Sequence, residues 1–217
     1  MIENKTLKLL GLILISLNLL GDLSGDPGEI IAVKLNQGEA VSSHLIIEKE
    51  GIRYAMIALP FDKQGKSIQF NNRNILINKK NFGESRITIE NTSMVNLSSE
   101  DSLRAFKESQ LIKKALENYS TEFKSNLSFI IPVEGVISSR YGKKRYINES
   151  PRSPHLALDI AAVTGTEIVA PERGKVILIG DFFYSGKYLI LDHGHGLLSS
   201  YSHLSKINVS VNQFIEQ

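Results

Sequence analysis

Glycine and proline punctuate the second half of this chain so densely that a long helix has little room there. Pro132, Gly135, Gly142, Gly165, Pro171, Gly174, Gly180, Gly186, Gly194 and Gly196 break up runs of Val, Ile, Leu and Tyr. Turn formers between short β-branched runs imply a sheet of antiparallel hairpins. The stretch from Ile30 to about Asn96 has the same character. Its candidate strands are Ile30 to Lys34, His44 to Ile47, Arg53 to Leu59, Ser67 to Phe70 and Arg86 to Glu90, with breaks at Asn36-Gln37-Gly38, Glu50-Gly51 and Pro60 to Gly65. A small β module over residues 26–97 follows from this pattern.

One segment reads differently. Ser98 followed by Asp101 resembles a capping box, and Leu103, Phe106, Leu111, Ala115 and Tyr119 recur at helical spacing. A linking helix over residues 98–122 is expected, ending near Tyr119 to Glu122. Its apolar stripe should pack on the parts it joins.

Composition removes several classes of function. With 25 basic and 23 acidic residues the net charge is +2, too little to argue for a nucleic-acid partner. There is no cysteine, so disulfide scaffolds, thiolate zinc sites and cysteine nucleophiles are excluded. A metal site must use His, Asp or Glu. Four of the five histidines, His155, His193, His195 and His203, fall in the last third of the chain. His44 stands alone and reads as structural.

Near the start, Lys5 and Lys8 precede the apolar run Leu9 to Leu20, followed by the polar stretch GDLSGDPGE. The run is short for a membrane span. Residues 1–25 therefore read as an export signal or an uncleaved N-terminal anchor, and any membrane association would come through that segment alone.

The segment PHLALDIAA, Pro154 to Ala162, alternates strictly: Leu156, Leu158 and Ile160 against His155, Ala157 and Asp159. It reads as a strand with one apolar face. On the other face an imidazole and a carboxylate flank a small residue, and both are ordinary zinc ligands. A solvated His and Asp on an edge strand fit the same pattern. Further on, Tyr188 to Asp192 and Leu197 to Leu204 read as strands joined by a turn at Gly194 to Gly196. Tyr201 and His203, two apart, would then share a face. His203 could serve as a general acid or base, or as a hydrogen-bonded structural histidine.

ISSRYGKKR (Ile137 to Arg145), SPHLALDIAA, GTEIVAPERGKVILIG, LDHGHGL and SYSHLS occur in the order found in lysostaphin-type (LytM-like) zinc metalloendopeptidases. The resemblance covers about residues 128–217. It implies a mainly β chain: a small N-terminal β module, a linking helix and an incomplete antiparallel β-sheet peptidase domain. It also implies a Zn2+-dependent hydrolase of peptide cross-links in bacterial peptidoglycan, exported to the periplasm or cell envelope. By resemblance His155 and Asp159 are zinc ligands and His203 lines the active site. Arg140, Arg145 and Arg152 lie near the site strand in sequence and could meet carboxylates of stem peptides.

The chain departs from the family pattern in three places. Ala157 replaces a usual glycine, and Lys187 stands where asparagine is common. The third zinc ligand, on a later His-x-His strand, does not occur before Gln217. The expectation is therefore a C-terminally truncated domain, inactive as it stands. His193-Gly194-His195 spells His-x-His, but its glycines mark a hairpin turn rather than a rigid ligand strand. A non-catalytic relative that binds another wall hydrolase is the alternative reading. A biotinyl-carrier-like domain is disfavoured, because no lysine is displayed at a suitable turn.

Overall fold

The computed structural model of this protein describes residues 23–217, apart from Asn91 and Met94. The apolar run Leu9 to Leu20, read as a signal or anchor, lies outside the described residues. The elements are β1 (Leu23–Gly25), β2 (Ile30–Lys34), β3 (Leu45–Lys49), β4 (Ile52–Ala58), β5 (Ser67–Phe70), β6 (Arg73–Ile77), β7 (Glu84–Ile87), α1 (Ser99–Leu116), β8 (Val136–Ser139), β9 (Lys144–Ile147), β10 (Ser150–Arg152), β11 (Asp159–Ala161), β12 (Gly174–Phe182), β13 (Gly186–Asp192), β14 (Leu198–Leu204) and β15 (Phe214–Ile215). The chain is mainly β with one α-helix among the described residues, in line with the glycine and proline spacing. No helix among the described residues is long and apolar enough to cross a membrane.

The residues group into two units. The first joins residues 23–88 with Ile137–Asp159. In it β2, β4 and β3 form an antiparallel sheet, and β1, β6 and β5 form a mixed one, with β1 parallel and β5 antiparallel to β6. Strand β4 alternates as period two requires, so Ala55 and Ile57 point into a core with Val33, Leu59, Phe70, Ile75 and Ile77. Strand β6 is a core strand that the expected set omitted. Its signal was present in the apolar run Ile75, Leu76 and Ile77 after the turn at Asn71. The third sheet runs β10-β9-β7. There β7 pairs with β9 in parallel, Glu84 against Lys144 through Ile87 against Ile147. This pairing ties residues 144–147 to the amino-terminal strands, a connection no local pattern encodes.

The second unit joins Ile89–Val136 with Ile160–Gln217. Its sheet runs β14-β13-β12-β15. Phe182, Tyr188 and Ile190 form its buried cluster, with Ile112 and Ala115 of α1 packed against them. The helix starts where the capping pattern placed it. Ser98 accepts from the Asp101 N–H at 3.0 Å.

The helix buries a different face from the expected one. Leu103 and Phe106 are exposed, 54% and 61%, and so are Leu111 and Tyr119. The half-buried stripe is Asp101, Ala105, Glu108, Ile112 and Ala115. A polar anchor accounts for this choice. The Glu108 carboxylate accepts from the Phe183 N–H at 2.6 Å and from Arg104 at 2.8 Å. The bond to Phe183, with Ile112 and Ala115 packed on the sheet, holds that face inward.

The helix also ends earlier than expected, at Leu116. Beyond it Asn118 Nδ2 and Ser120 Oγ donate to Asp192 Oδ2 at 2.7 and 2.6 Å. Asn and Ser compete poorly for helical backbone when a partner lies elsewhere. Asp192 Oδ1 also accepts from the Gly194 N–H at 2.8 Å.

Candidate metal-binding site

A straight strand would hold His155 and Asp159 about 13 Å apart, four residues at ~3.3 Å each. The structure has no such strand, which corrects the reading of Pro154 to Ala162. Residues 153–158 are irregular with a bend at Ala157, and β11 begins only at Asp159. Leu156 and Leu158 form no buried face; both are exposed. The bend instead folds the segment so that His155 Nε2 lies 2.9 Å from Asp159 Oδ1. The two side chains meet at a bend rather than on one face of a strand.

His155 is 3% exposed and firmly held. Its N–H donates to the Lys143 carbonyl, and its own carbonyl accepts from the Gly142 N–H. Its ring Nδ1 lies 3.1 Å from the Arg140 carbonyl and 3.2 Å from Ser139 Oγ. A carbonyl only accepts, so Nδ1 carries the hydrogen. Nε2 is then left facing a carboxylate. With its lone pair on that side, Nε2 and the carboxylate could share one cation. A histidine whose other N–H is tied to a backbone carbonyl is the arrangement a metal ligand needs.

By donor type the residues fit zinc. The Asp159 side chain is about half exposed, so the pair is open on one side. Among the described residues there is no group of three or more His, Cys, Asp or Glu that could hold a metal. Ser139 and the Arg140 carbonyl, which orient the ring, were not picked out by sequence reasoning. Their only signal was membership in the ISSRYGKKR motif.

His193 and His195 belong to the second unit. His193 is fully buried, and Nδ1 donates to the Arg173 carbonyl at 2.8 Å. Its Nε2 therefore accepts from Ser199 Oγ at 2.7 Å, and Ser199 in turn accepts from the Tyr201 hydroxyl at 2.8 Å. Gly194, His195 and Gly196 all have positive φ, 86°, 53° and 77°. A Cβ at Gly194 would collide with the Phe123 carbonyl, so only glycine fits there. The turn expected at this tripeptide is present. His195→Gln is expected to leave zinc binding unchanged and to alter stability by less than about 0.5 kcal/mol. Metal titration and thermal melts of the variant check this.

His203 lies in the second unit, on β14. The register pairs Leu189 with Tyr201 and Lys187 with Leu204, so β14 carries one extra residue between them. His203 sits in this bulge at φ 58°. Across a bulge the period of two breaks, and Tyr201 and His203 do not share a face as expected. Tyr201 is half-buried in the network to His193, whereas the His203 ring is exposed and makes no hydrogen bond among the described residues. Only its backbone N–H is engaged, by Ser185 O at 2.8 Å.

Burial pushes the Tyr201 hydroxyl up to about 12. An unfolded tyrosine ionises near 10. The folded state therefore keeps its proton longer, and the stability from this group is complete below pH 10 and lost as pH rises through 12. About 2–3 kcal/mol should disappear across that window. Tyr201→Phe should flatten the decline, as measured by urea unfolding from pH 9 to 12.

The described residues thus form a mainly β chain that carries a histidine–aspartate donor pair at a bend. Residues 153–217 match peptidase family M23. A solved structure from Pseudomonas aeruginosa assigned to peptidase M23 superposes with a TM-score of 0.65 at 30% identity, covering 88% of this chain and 79% of that one. The chain belongs to peptidase family M23, the family of LytM-type enzymes. Two curated relatives come from Vibrio cholerae: peptidoglycan DD-endopeptidase ShyA, 32% identical over 82 residues, and peptidoglycan DD-endopeptidase ShyB, 33% identical over 64. The aligned stretches are 37% and 30% of this chain but only 19% and 15% of those proteins. The match thus spans less than a fifth of either curated relative.

Proposed function

We propose that this chain is a zinc-dependent endopeptidase of the bacterial cell wall, acting outside the cytoplasm on peptide cross-links of peptidoglycan. The observation that carries the reading is the His155–Asp159 pair: a buried imidazole with a fixed tautomer aimed at a half-exposed carboxylate. Its family membership and the names of its curated relatives support the choice of substrate.

In this reading His155 Nε2 and an Asp159 oxygen hold the ion. Bound there, zinc would supply Lewis acidity toward the scissile carbonyl and a water of lowered pKa. Ser139 and the Arg140 carbonyl keep the His155 lone pair aimed. His203 would move a proton through its exposed ring or steady developing negative charge on the carbonyl oxygen. Its exposed ring, turned out of the strand alternation by the bulge, supports that reading. The peptidase part is taken to begin near residue 128, after a β module over 26–97 and the linking helix.

Among the described residues the pair supplies two donors, one short of the usual catalytic count. Residues 1–217 are accordingly proposed to bind zinc weakly and to cleave walls poorly. The test compares residues 1–217 with a chain that adds a His-x-His strand after Gln217. Digestion of purified walls is followed by separation of the released cross-linked peptides. The longer chain should release them in a zinc- and His155-dependent way, and residues 1–217 far less. A longer chain that retains zinc yet releases nothing from walls would overturn the proposal.

A further inference from the structure

The first unit contains an open groove of about 890 Å3. Among its lining residues are five cations, Lys79, Lys80, Lys144, Arg145 and Arg152, and one carboxylate, Glu84. Asp26 neutralises Lys80 at 2.5 Å, and Glu84 is engaged by Arg86 at 3.1 Å. Among the described residues the other four cations form no ion pair.

The register makes the imbalance specific. Strands β10 and β9 set Arg152 directly opposite Arg145, and β7 sets Ser85 beside Arg145. That row across the sheet reads Arg152, Arg145, Ser85, with no acidic residue. The adjacent row reads Pro151, Tyr146, Arg86. There the cation is fully compensated: Arg86 stacks on the Tyr146 ring at 4.0 Å and pairs with Glu84 and Glu149. Like charges at directly opposed positions repel. One row of this small sheet is thus neutralised and the other carries two uncompensated guanidinium groups.

A local rule broken without an internal compensation points to a ligand that supplies it. Two arginine forks facing one another suit a carboxylate, which they can hold bidentately. Two residues of the groove lining adjoin His155. Pro154 precedes it in the chain, and Gly142 donates to the His155 carbonyl. Phe61, Phe82 and Tyr146 add apolar surface between the charges.

We propose that this groove is a binding subsite for a carboxylate-bearing peptide, with Arg145 and Arg152 gripping one carboxylate between them. It deepens the wall-hydrolase reading and rests on it for the choice of ligand: the stem peptides of peptidoglycan are short chains with free carboxylates. The cation pair would hold such a peptide with its backbone directed toward His155 and Asp159.

The test uses residues 1–217, a synthetic tetrapeptide with two free carboxylates, and its doubly amidated form. Calorimetry should show the acidic peptide binding at least about tenfold tighter than the amide, with affinity falling as salt rises. The Arg145→Ala/Arg152→Ala double variant should lose at least about tenfold for the acidic form. It should melt no lower than the parent, because a repulsion is removed, and should keep its zinc response. Equal binding of the two peptides, unchanged binding by the double variant, or a lower melting temperature would each overturn the subsite. Displacement of the peptide by equimolar inorganic phosphate would replace the carboxylate assignment with a general anion cradle. Co-sedimentation with purified walls separates the two proposals. Arginine-dependent peptide binding without wall binding leaves the subsite standing and removes the wall reading. Wall binding independent of both arginines does the reverse.

Discussion

Alanine at position 155 is expected to erase zinc binding by residues 1–217 and to cost about 2–4 kcal/mol of metal-free stability. The stability loss has two parts. A buried ring leaves a cavity, and the Arg140 carbonyl and Ser139 Oγ lose their shared partner. The zinc effect is separable from this. At zinc concentrations ten times the dissociation constant, the parent should gain about 1.4 kcal/mol by mass action. That is a rise in melting temperature of about 3–6 °C for a chain of this size. His155→Ala should show no rise. Asp159→Asn keeps the side-chain volume and sits at a half-exposed position, so it should unfold close to the parent while also losing the zinc response. Melting curves with zinc and with a chelator decide the matter. A zinc response that survives in either variant would remove the pair from the metal site.

Asp192→Ala is expected to be the most damaging single change in the second unit, at about 3–5 kcal/mol. The carboxylate is 1% exposed and collects three donors, from Asn118, Ser120 and Gly194. Hydrogen bonds to a charged acceptor contribute about 1.5–3 kcal/mol each, and the alanine variant would leave buried donors unpaired. The melting temperature should fall by about 10 °C. Asp192→Asn should do about half the harm, since its carbonyl can keep the Gly194 bond while its NH2 faces the donor of Asn118. Near-parental melting of the alanine variant would show that these donors find water or other partners. The effect would be structural, because Asp192 fixes where the chain leaves α1 and where the β13–β14 turn begins.

Some of this was legible in short stretches of sequence. Ser98 before Asp101 marked the start of α1, and Gly194 to Gly196 marked the β13–β14 turn, because caps and left-handed turns depend on residues a few positions apart. The same reasoning misjudged α1 itself. Leu103 and Phe106 looked like a core stripe, yet the helix is oriented by Glu108 reaching the Phe183 N–H. Hydrophobic spacing ranks faces only by apolarity and does not register a buried carboxylate bonded from across the unit.

At the candidate site the division is sharper. The sequence by itself narrowed the donor types: with no cysteine a metal site must use His, Asp or Glu, and the resemblance to LytM-like enzymes is what singled out His155 and Asp159. Tertiary structure decided whether they meet. A regular strand would have left them about 13 Å apart, and the bend at Ala157, held by Gly142 and Lys143 pairing with His155, sets them at 2.9 Å. It also decided the setting of His203, through a bulge that depends on how β14 registers against β13. The parallel union of β7 with β9, which opposes Arg145 to Arg152 through β10, is of the same kind. Alternation and turn chemistry are properties of neighbouring residues and can be read in order along a chain. Bends, bulges and strand partners are settled by segments far apart in sequence, through packing and hydrogen bonds that exist only once those segments meet.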